Sequence, residues 1–153
     1  MKNIKSKKAF TMIELVFVIV IIGILAAVAI PRLSATRDDA EIAKARTVVA
    51  SVRNALAMER QKRILRGDFT LIDSVSEGEG SNVFDRFSVD GRGNNARVME
   101  YPIKSEPNKQ NRWSVSGAQY TFKSVLGDVA FQITDGRFVC VDESSHGCKQ
   151  LTN

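Results

Sequence analysis

The sequence predicts an α+β fold in which a long N-terminal helix precedes and packs on a small antiparallel β-meander. Three observations predict it: an apolar run from Leu15 to Ile30, an amphipathic stretch over 32–66, and two hairpin signals near the C-terminus. The 153 residues suffice for one anchor and one small domain, but not for two independent cores. We expect four segments: a basic leader (1–9), a transmembrane helix (10–31), an amphipathic helix (32–67) and a globular loop and sheet domain (68–153).

The apolar run has the length and composition of a membrane span. No charged residue occurs between Glu14 and Arg32. A helix from Phe10 to Ile30 would be about 31 Å long at about 1.5 Å per residue, close to the thickness of a hydrocarbon core. Pro31 follows this run, and proline removes one backbone donor and clashes with the preceding turn. We therefore expect a kink at Pro31 within one helix.

Glu14 lies just inside this apolar segment. A carboxylate at the bilayer centre costs roughly 2.5–3.5 kcal/mol on insertion scales, and less near the interface. Glu14 either extends to the lipid headgroups, as in an ordinary anchor, or meets a positive charge within an assembly. A free α-amino group would supply that charge if the chain were cleaved before Phe10.

Most of the formal net charge of +5 comes from the leader, whose lysines are Lys2, Lys5, Lys7 and Lys8. Removing these four from 22 basic residues leaves 18 against 17 acidic residues, a balance of about +1. We interpret the leader as an orienting signal that stays in the cytoplasm. The global charge therefore does not support direct binding of nucleic acid.

The run Lys7-Lys8-Ala9-Phe10-Thr11-Met12-Ile13-Glu14-Leu15, followed by an apolar helix and Pro31, resembles the N-terminus of type IV pilins. It also resembles the N-terminus of their relatives, the pseudopilins of type II secretion and DNA-uptake systems. The resemblance implies that a prepilin peptidase cleaves between Ala9 and Phe10, with Ala9 where the family usually has glycine. It implies N-methylation of Phe10 and a requirement for Glu14 in assembly.

As a function, the resemblance implies a structural subunit and not an enzyme. Such a subunit would sit in the inner membrane as a single-pass protein with a periplasmic C-terminal domain. It would then polymerise with its own copies and minor pilins at an inner-membrane assembly platform. The product would be a type IV pilus, or alternatively a pseudopilus for secretion or DNA uptake.

Two readings compete with assembly. Ala27-Val28-Ala29 has the small-x-small form that ordinary signal peptidase cleaves, which would release a soluble periplasmic protein beginning at Ile30. A monomeric, membrane-anchored periplasmic binding domain would keep the span without self-association.

The amphipathic helix carries an apolar stripe with steps of three and four residues: Ile42, Ala45, Val49, Val52 and Leu56. Charged residues such as Glu59 and Arg60 are expected to fall largely off this stripe, and Gly67 is the expected stop. We expect the stripe to pack on the sheet and not to form a coiled coil.

In the sheet, Gly117-Ala118 separates strands 113–116 and 119–125, and Asp135-Gly136 separates strands 129–134 and 137–141. Alternation predicts one face with Tyr120, Phe122, Ala130 and Gln132, and an opposite face with Val129, Phe131, Ile133, Phe138 and Cys140. Between helix and sheet, an irregular segment is expected to be tethered to the core by Phe84, Phe87, Val98, Tyr101 and Ile103.

Cys140 and Cys148 are the only cysteines, and in an oxidising compartment they favour a disulfide. A metal site with His146 is the alternative, although it lacks an obvious fourth ligand. Asp128 and Asp135 are candidate calcium ligands, but turn chemistry also explains them. The sequence contains no phosphate-binding glycine loop, nucleophile elbow or paired-histidine motif, and we expect neither a cofactor nor a catalytic residue.

Overall fold

The structure, a computed structural model, describes residues 10–77, 82–125 and 127–152. Its elements in chain order are α1 (Met12–Leu65), β1 (Asn82–Val83), β2 (Ile103–Lys104), β3 (Arg112–Ser116), β4 (Gln119–Ser124), β5 (Gly127–Thr134), β6 (Arg137–Cys140) and α2 (His146–Thr152). The chain divides into two compact units, one ending at Arg37 and the other beginning at Asp38. The expected long helix and antiparallel sheet are both present.

The first unit contains the N-terminal part of α1. Pro31 lies inside the helix, and helical structure continues on both sides of it. A kink at Pro31 therefore stays a prediction. The expected leader over 1–9 lies outside the described residues.

In the second unit, the predicted stripe of α1 is confirmed. Ile42, Ala45, Val49, Val52 and Leu56 all belong to the buried core. They pack with aromatic residues of the sheet and aliphatic residues of the connecting segment. Tertiary packing of this face, more than helix propensity, stabilises such a helix.

The same face continues into two charged residues. Glu59 and Arg63 extend the three–four spacing beyond Leu56, and both are buried. The expectation that Glu59 lies off the buried face is wrong, because the two side chains compensate each other: Arg63 Nε donates to Glu59 Oε1 at 3.2 Å. Arg63 Nη2 also donates to the Ser88 carbonyl, which ties the helix to the connecting segment.

The helix ends at Leu65, and Gly67 is the stop that the sequence predicts. Its φ of 75° places Gly67 in the left-handed region that favours glycine. The Gly67 N–H donates to the Ile64 carbonyl and the Asp68 N–H to the Arg63 carbonyl, both at 2.9 Å. These two bonds form a Schellman motif, which satisfies carbonyls that the helix leaves without partners.

The four C-terminal strands form an antiparallel meander in the order β3-β4-β5-β6, as the hairpin signals predict. Asp135 and Gly136 have φ values of 51° and 70°, and both lie between β5 and β6. Two left-handed residues are what a type I′ hairpin turn requires. The Asp-Gly signal is therefore confirmed.

The predicted division of the sheet faces is wrong for β4. Tyr120 lies opposite Phe131 and Phe122 opposite Val129, so all four share the buried face. The physical reason is the length of the β4–β5 connection. Strands over 119–125 and 129–134 imply three connecting residues, whereas Ser124 pairs with Gly127 across only two. A one-residue change in register exchanges the faces of a strand.

Aromatic packing tethers the segment between α1 and β3. Phe84 is fully buried, and its ring centroid lies 5.1 Å from that of Trp113 and 5.5 Å from that of Tyr120. Phe87 and Val98 are buried as expected, and Ile103 packs against the core. The exception is a predicted tether that is 86% exposed, Tyr101. It lies in the bend before β2, and its side chain takes no part in the core.

The short helix α2 was not predicted. The Ser145 hydroxyl accepts the Cys148 N–H at 3.2 Å, which is N-cap geometry. Leu151 of α2 is buried, and the Gln150 carbonyl accepts a hydrogen bond from Arg46 Nε at 2.9 Å. The helix is thus attached to both the sheet core and α1.

Candidate functional site

The first candidate site is the exposed apolar segment at residues 10–33. Sixteen large apolar side chains between Phe10 and Leu33 are exposed. The helix is long and apolar enough to cross a membrane, and none of its most apolar stretch is buried. Burying one such side chain stabilises by about 1.5–3 kcal/mol, so the segment as a whole forgoes tens of kcal/mol in water. It therefore requires apolar surroundings from outside the chain.

The beginning of this segment is an N-terminal cap. Thr11 precedes the first helical residue, Met12, and its Oγ1 accepts the Glu14 N–H at 3.3 Å. Thr11-Met12-Ile13-Glu14 has the sequence of a capping box, in which threonine and glutamate satisfy free N–H groups at the helix start. Glu14 thus lies in the first turn, where the helix dipole favours a carboxylate. The Thr-x-x-Glu spacing was the sequence signal for this role, which the interpretation as a membrane span did not use.

The expected cleavage position lies at the edge of the described chain. Phe10 is the first described residue and precedes α1, and its side chain is exposed. Ala9 lies outside the described residues. Cleavage after Ala9 and N-methylation of Phe10 therefore remain predictions.

The cysteine pair forms the predicted disulfide. Cys140 at the end of β6 is bonded to Cys148 in α2, and both residues are buried. The bond fixes α2 beside the sheet. The alternative metal site is excluded in this state because both thiols are used, and His146 is exposed at the start of α2.

The calcium candidates do not come together. Asp128 lies near the start of β5, and Asp135 follows its end. They are seven positions apart along an extended strand, which is about 23 Å and far beyond what one ion with ligands at about 2.3–2.6 Å can bridge. Among the residues that the structure describes, no group of three or more His, Cys, Asp or Glu residues could hold a metal ion.

Two carboxylates after α1 serve the loop itself. Asp68 accepts hydrogen bonds from the Thr70 hydroxyl at 2.6 Å and from the N–H groups of Thr70 and Gly91 at 2.9 Å. The Thr70 side chain is the main reason that the pKa of Asp68 is lowered to about 2. The Asn94 N–H likewise lowers the pKa of Asp90. Both carboxylates therefore stabilise the loop by accepting its hydrogen bonds.

Comparison with known proteins finds a family motif that overlaps the apolar segment. The prokaryotic N-terminal methylation motif matches residues 4–30. The chain is 51% identical to the type IV narrow pilus major component PilA5 of Thermus thermophilus over 51 residues, which are 33% of the chain and cover 44% of that protein. Over 58 residues, 38% of the chain, it is 38% identical to the type II secretion system core protein G of Vibrio cholerae, covering 40% of that protein.

The matches span less than half the length of either relative. No solved structure matches the chain. The motif, the exposed apolar helix and the antiparallel sheet are nevertheless all consistent with a pilin-like fold. The chain is therefore a pilin-like α+β protein that carries the prokaryotic N-terminal methylation motif.

Proposed function

We propose that the chain is a structural subunit, cleaved before Phe10 by a prepilin peptidase and assembled into a type IV pilus or a pseudopilus. The observation that carries this proposal is the exposed apolar helix with one carboxylate, Glu14, inside the segment that matches the methylation motif. Only lipid or other copies can cover so much apolar surface. A subunit of this kind passes from the lipid bilayer into contact with other copies in a filament.

The mechanism follows from the two charges that cleavage brings into apolar surroundings. Cleavage frees the α-amino group of Phe10, which becomes an ammonium close to the start of α1. Glu14 of one subunit pairs with the Phe10 ammonium of a neighbour. Two opposite charges in a low-dielectric environment attract strongly, whereas either charge alone is costly there. Pairing thus favours assembled over isolated subunits, and the apolar side chains supply the packing.

The same proposal sets the topology and the partners. The basic leader stays in the cytoplasm, the N-terminal part of α1 crosses the inner membrane once, and the sheet domain lies in the periplasm. The Cys140–Cys148 disulfide is consistent with that oxidising compartment. Partners are further copies, minor pilins, the prepilin peptidase and an inner-membrane assembly platform. The role is structural, with no catalytic step.

Replacing Glu14 tests the proposal. The full precursor is expressed in cells that form filaments, as wild type and as Glu14→Ala. Membrane insertion and cleavage should be unchanged, and the filament yield should fall by at least roughly 100-fold, because breaking a buried ion pair costs about 3–5 kcal/mol. Glu143→Ala, which removes an exposed carboxylate of the sheet domain, is the matched control and should assemble normally.

Two results would contradict this function. One is a normal filament yield from Glu14→Ala, and the other is intact mass showing the leader still attached in working filaments. A mature chain beginning at Ile30 would instead establish ordinary signal-peptidase processing. Thiol cross-linking of Val16→Cys between copies in the membrane distinguishes assembly from a monomeric anchored binding domain, which would give no cross-link.

The two matched relatives belong to different machines by name, a narrow pilus and a type II secretion system. The choice between pilus, secretion and DNA uptake can be made from neighbouring genes. A retraction ATPase, a secretion ATPase or a DNA-translocation channel encoded nearby would each favour one machine.

A further inference from the structure

A cleft of about 360 Å³ lies between the C-terminal part of α1 and β6. Three arginines line it, Arg53 and Arg60 from α1 and Arg137 from β6. The remaining lining is mostly apolar, with Leu56 and Phe138 among its residues, and none of the described lining residues is acidic. The cleft therefore combines an uncompensated positive charge with an apolar floor.

Two of these guanidinium groups are held in place by the backbone. Arg53 Nε donates to the Phe138 carbonyl at 3.1 Å, and Arg60 Nη1 donates to the Asp135 carbonyl at 3.2 Å. Each guanidinium has five N–H donors, so the others remain for a ligand. Holding the side chains in position beforehand reduces the entropy lost on binding.

Carboxylates are the ligands that such a cleft would take within a protein assembly, because the planar guanidinium matches a carboxylate with two parallel hydrogen bonds. The chain carries an adjacent pair of carboxylates at Asp38 and Asp39, on α1 at the start of the second unit. Within the described residues, neither makes an ion pair or a side-chain hydrogen bond. Asp39 is exposed.

The cleft of the same molecule is out of reach of this pair. Asp39 and Arg60 are 21 positions apart on one helix, which is about 32 Å at about 1.5 Å per residue. Asp39 and Arg53 are about 21 Å apart by the same measure. A second copy whose α1 runs parallel and is displaced by about 20–30 Å along the helix axis would bring the two features together.

On the basis of the proposed function, we propose that the arginine cleft (Arg53, Arg60, Arg137) of one copy binds the Asp38–Asp39 carboxylates of a second copy. The exposed apolar segment brings copies side by side, and this contact then sets their displacement along α1. The cleft is thus a lateral docking site of the sheet domain, separate from the contact made by Glu14.

A charge exchange in the full-length chain tests the docking site. Asp39→Arg and Arg60→Glu are expressed singly and together in filament-forming cells, with Asp128→Arg as the matched control. Each single reversal should lower the filament yield by roughly tenfold or more, since like charges in contact oppose association. The double variant should recover to within about threefold of wild type, because exchange restores an opposite pair. Asp128→Arg changes an exposed acidic residue of β5 and should assemble normally.

A second measurement protects the test against misfolding. Asp39→Cys with Arg137→Cys should give a ladder of covalent oligomers with a short bifunctional thiol reagent, and neither single variant should give it. No ladder, a normal yield from both single reversals, or a double variant that stays deficient would overturn the docking site. In each case, Glu14→Ala tests the proposed function independently. If that variant abolishes filaments, the proposed function stands without the docking site.

Discussion

Val20 and Val52 lie on the same helix, yet Val20 is 53% exposed and Val52 is fully buried. Each belongs to an apolar surface of the helix. The difference is the partner: the second unit of the chain supplies a sheet for Val52, and no described residue covers Val20. Folding thus buries the apolar face of one half of α1, whereas only lipid or association with other molecules can bury that of the other half.

This contrast separates two kinds of stability. In the second unit, apolar side chains contribute to the free energy of unfolding of the domain. In the segment 10–33, the same side chains contribute to the free energy of insertion or assembly. Substitutions of equal size should therefore be detected by different measurements in the two regions.

The largest effect on unfolding is expected from the aromatic core. Phe131 is fully buried, with its ring stacked on Phe138 at 4.8 Å, and Phe131→Ala should lower the free energy of unfolding by about 3–5 kcal/mol. Denaturant unfolding of the full chain in detergent micelles, followed by fluorescence of the single tryptophan, Trp113, measures this loss. Ile19→Ala is the control and should leave the midpoint unchanged. An equal loss in both variants would remove the distinction between the regions.

A smaller effect is expected where α2 approaches the sheet. A Cβ on Gly147 would lie 2.5 Å from Val129 Cγ2, whereas a Cβ on Gly23 meets nothing within 4 Å. Gly147→Ala should cost about 1–3 kcal/mol through overpacking, reduced by up to about 1 kcal/mol of helix propensity. The same denaturant unfolding measures it, and adding Val129→Ala to Gly147→Ala should relieve the clash. Gly23→Ala should leave domain unfolding unaffected, and a stabilised Gly147→Ala variant would show that α2 is loosely packed.

The smallest effect is the pH dependence of the loop after α1. The pKa of Asp68 is about 2 in the folded chain against an ordinary value of 3.8. A lowered pKa stabilises the fold above about pH 4, and that contribution is lost as the pH falls from about 4 to about 2. Thr70→Ala removes the main cause of the shift, so the pKa of Asp68 should rise towards 3.8 and the loss should begin at higher pH. NMR titration of the carboxyl carbon measures this, and an unchanged pKa would contradict the assigned cause.

Some features follow from the sequence because they depend on neighbouring residues along the chain. The stripe from Ile42 to Leu56, the stop at Gly67 and the Asp135-Gly136 turn are of this kind. Each rests on local geometry, whether helical period, left-handed glycine or a two-residue turn. The methylation motif is also a local pattern, and its match covers residues 4–30.

Other features depended on pairing between distant residues. Glu59 was predicted to fall off the apolar stripe with the other charged residues, but it is buried against Arg63, which also donates to the Ser88 carbonyl. The faces of β4 depended on a connection of two residues instead of three. Helix α2 is too short for a clear period, and only the Ser145 cap indicated it.

By itself, the sequence determined that residues 10–33 are apolar enough to span a membrane and that Glu14 is the one charge among them before Arg32, because composition and helical length are properties of the chain alone. Only the tertiary structure decided which apolar residues find a partner within the chain. It also decided that Arg53, Arg60 and Arg137 line one cleft, since β6 is far from α1 along the chain and meets it only where the sheet packs on the helix.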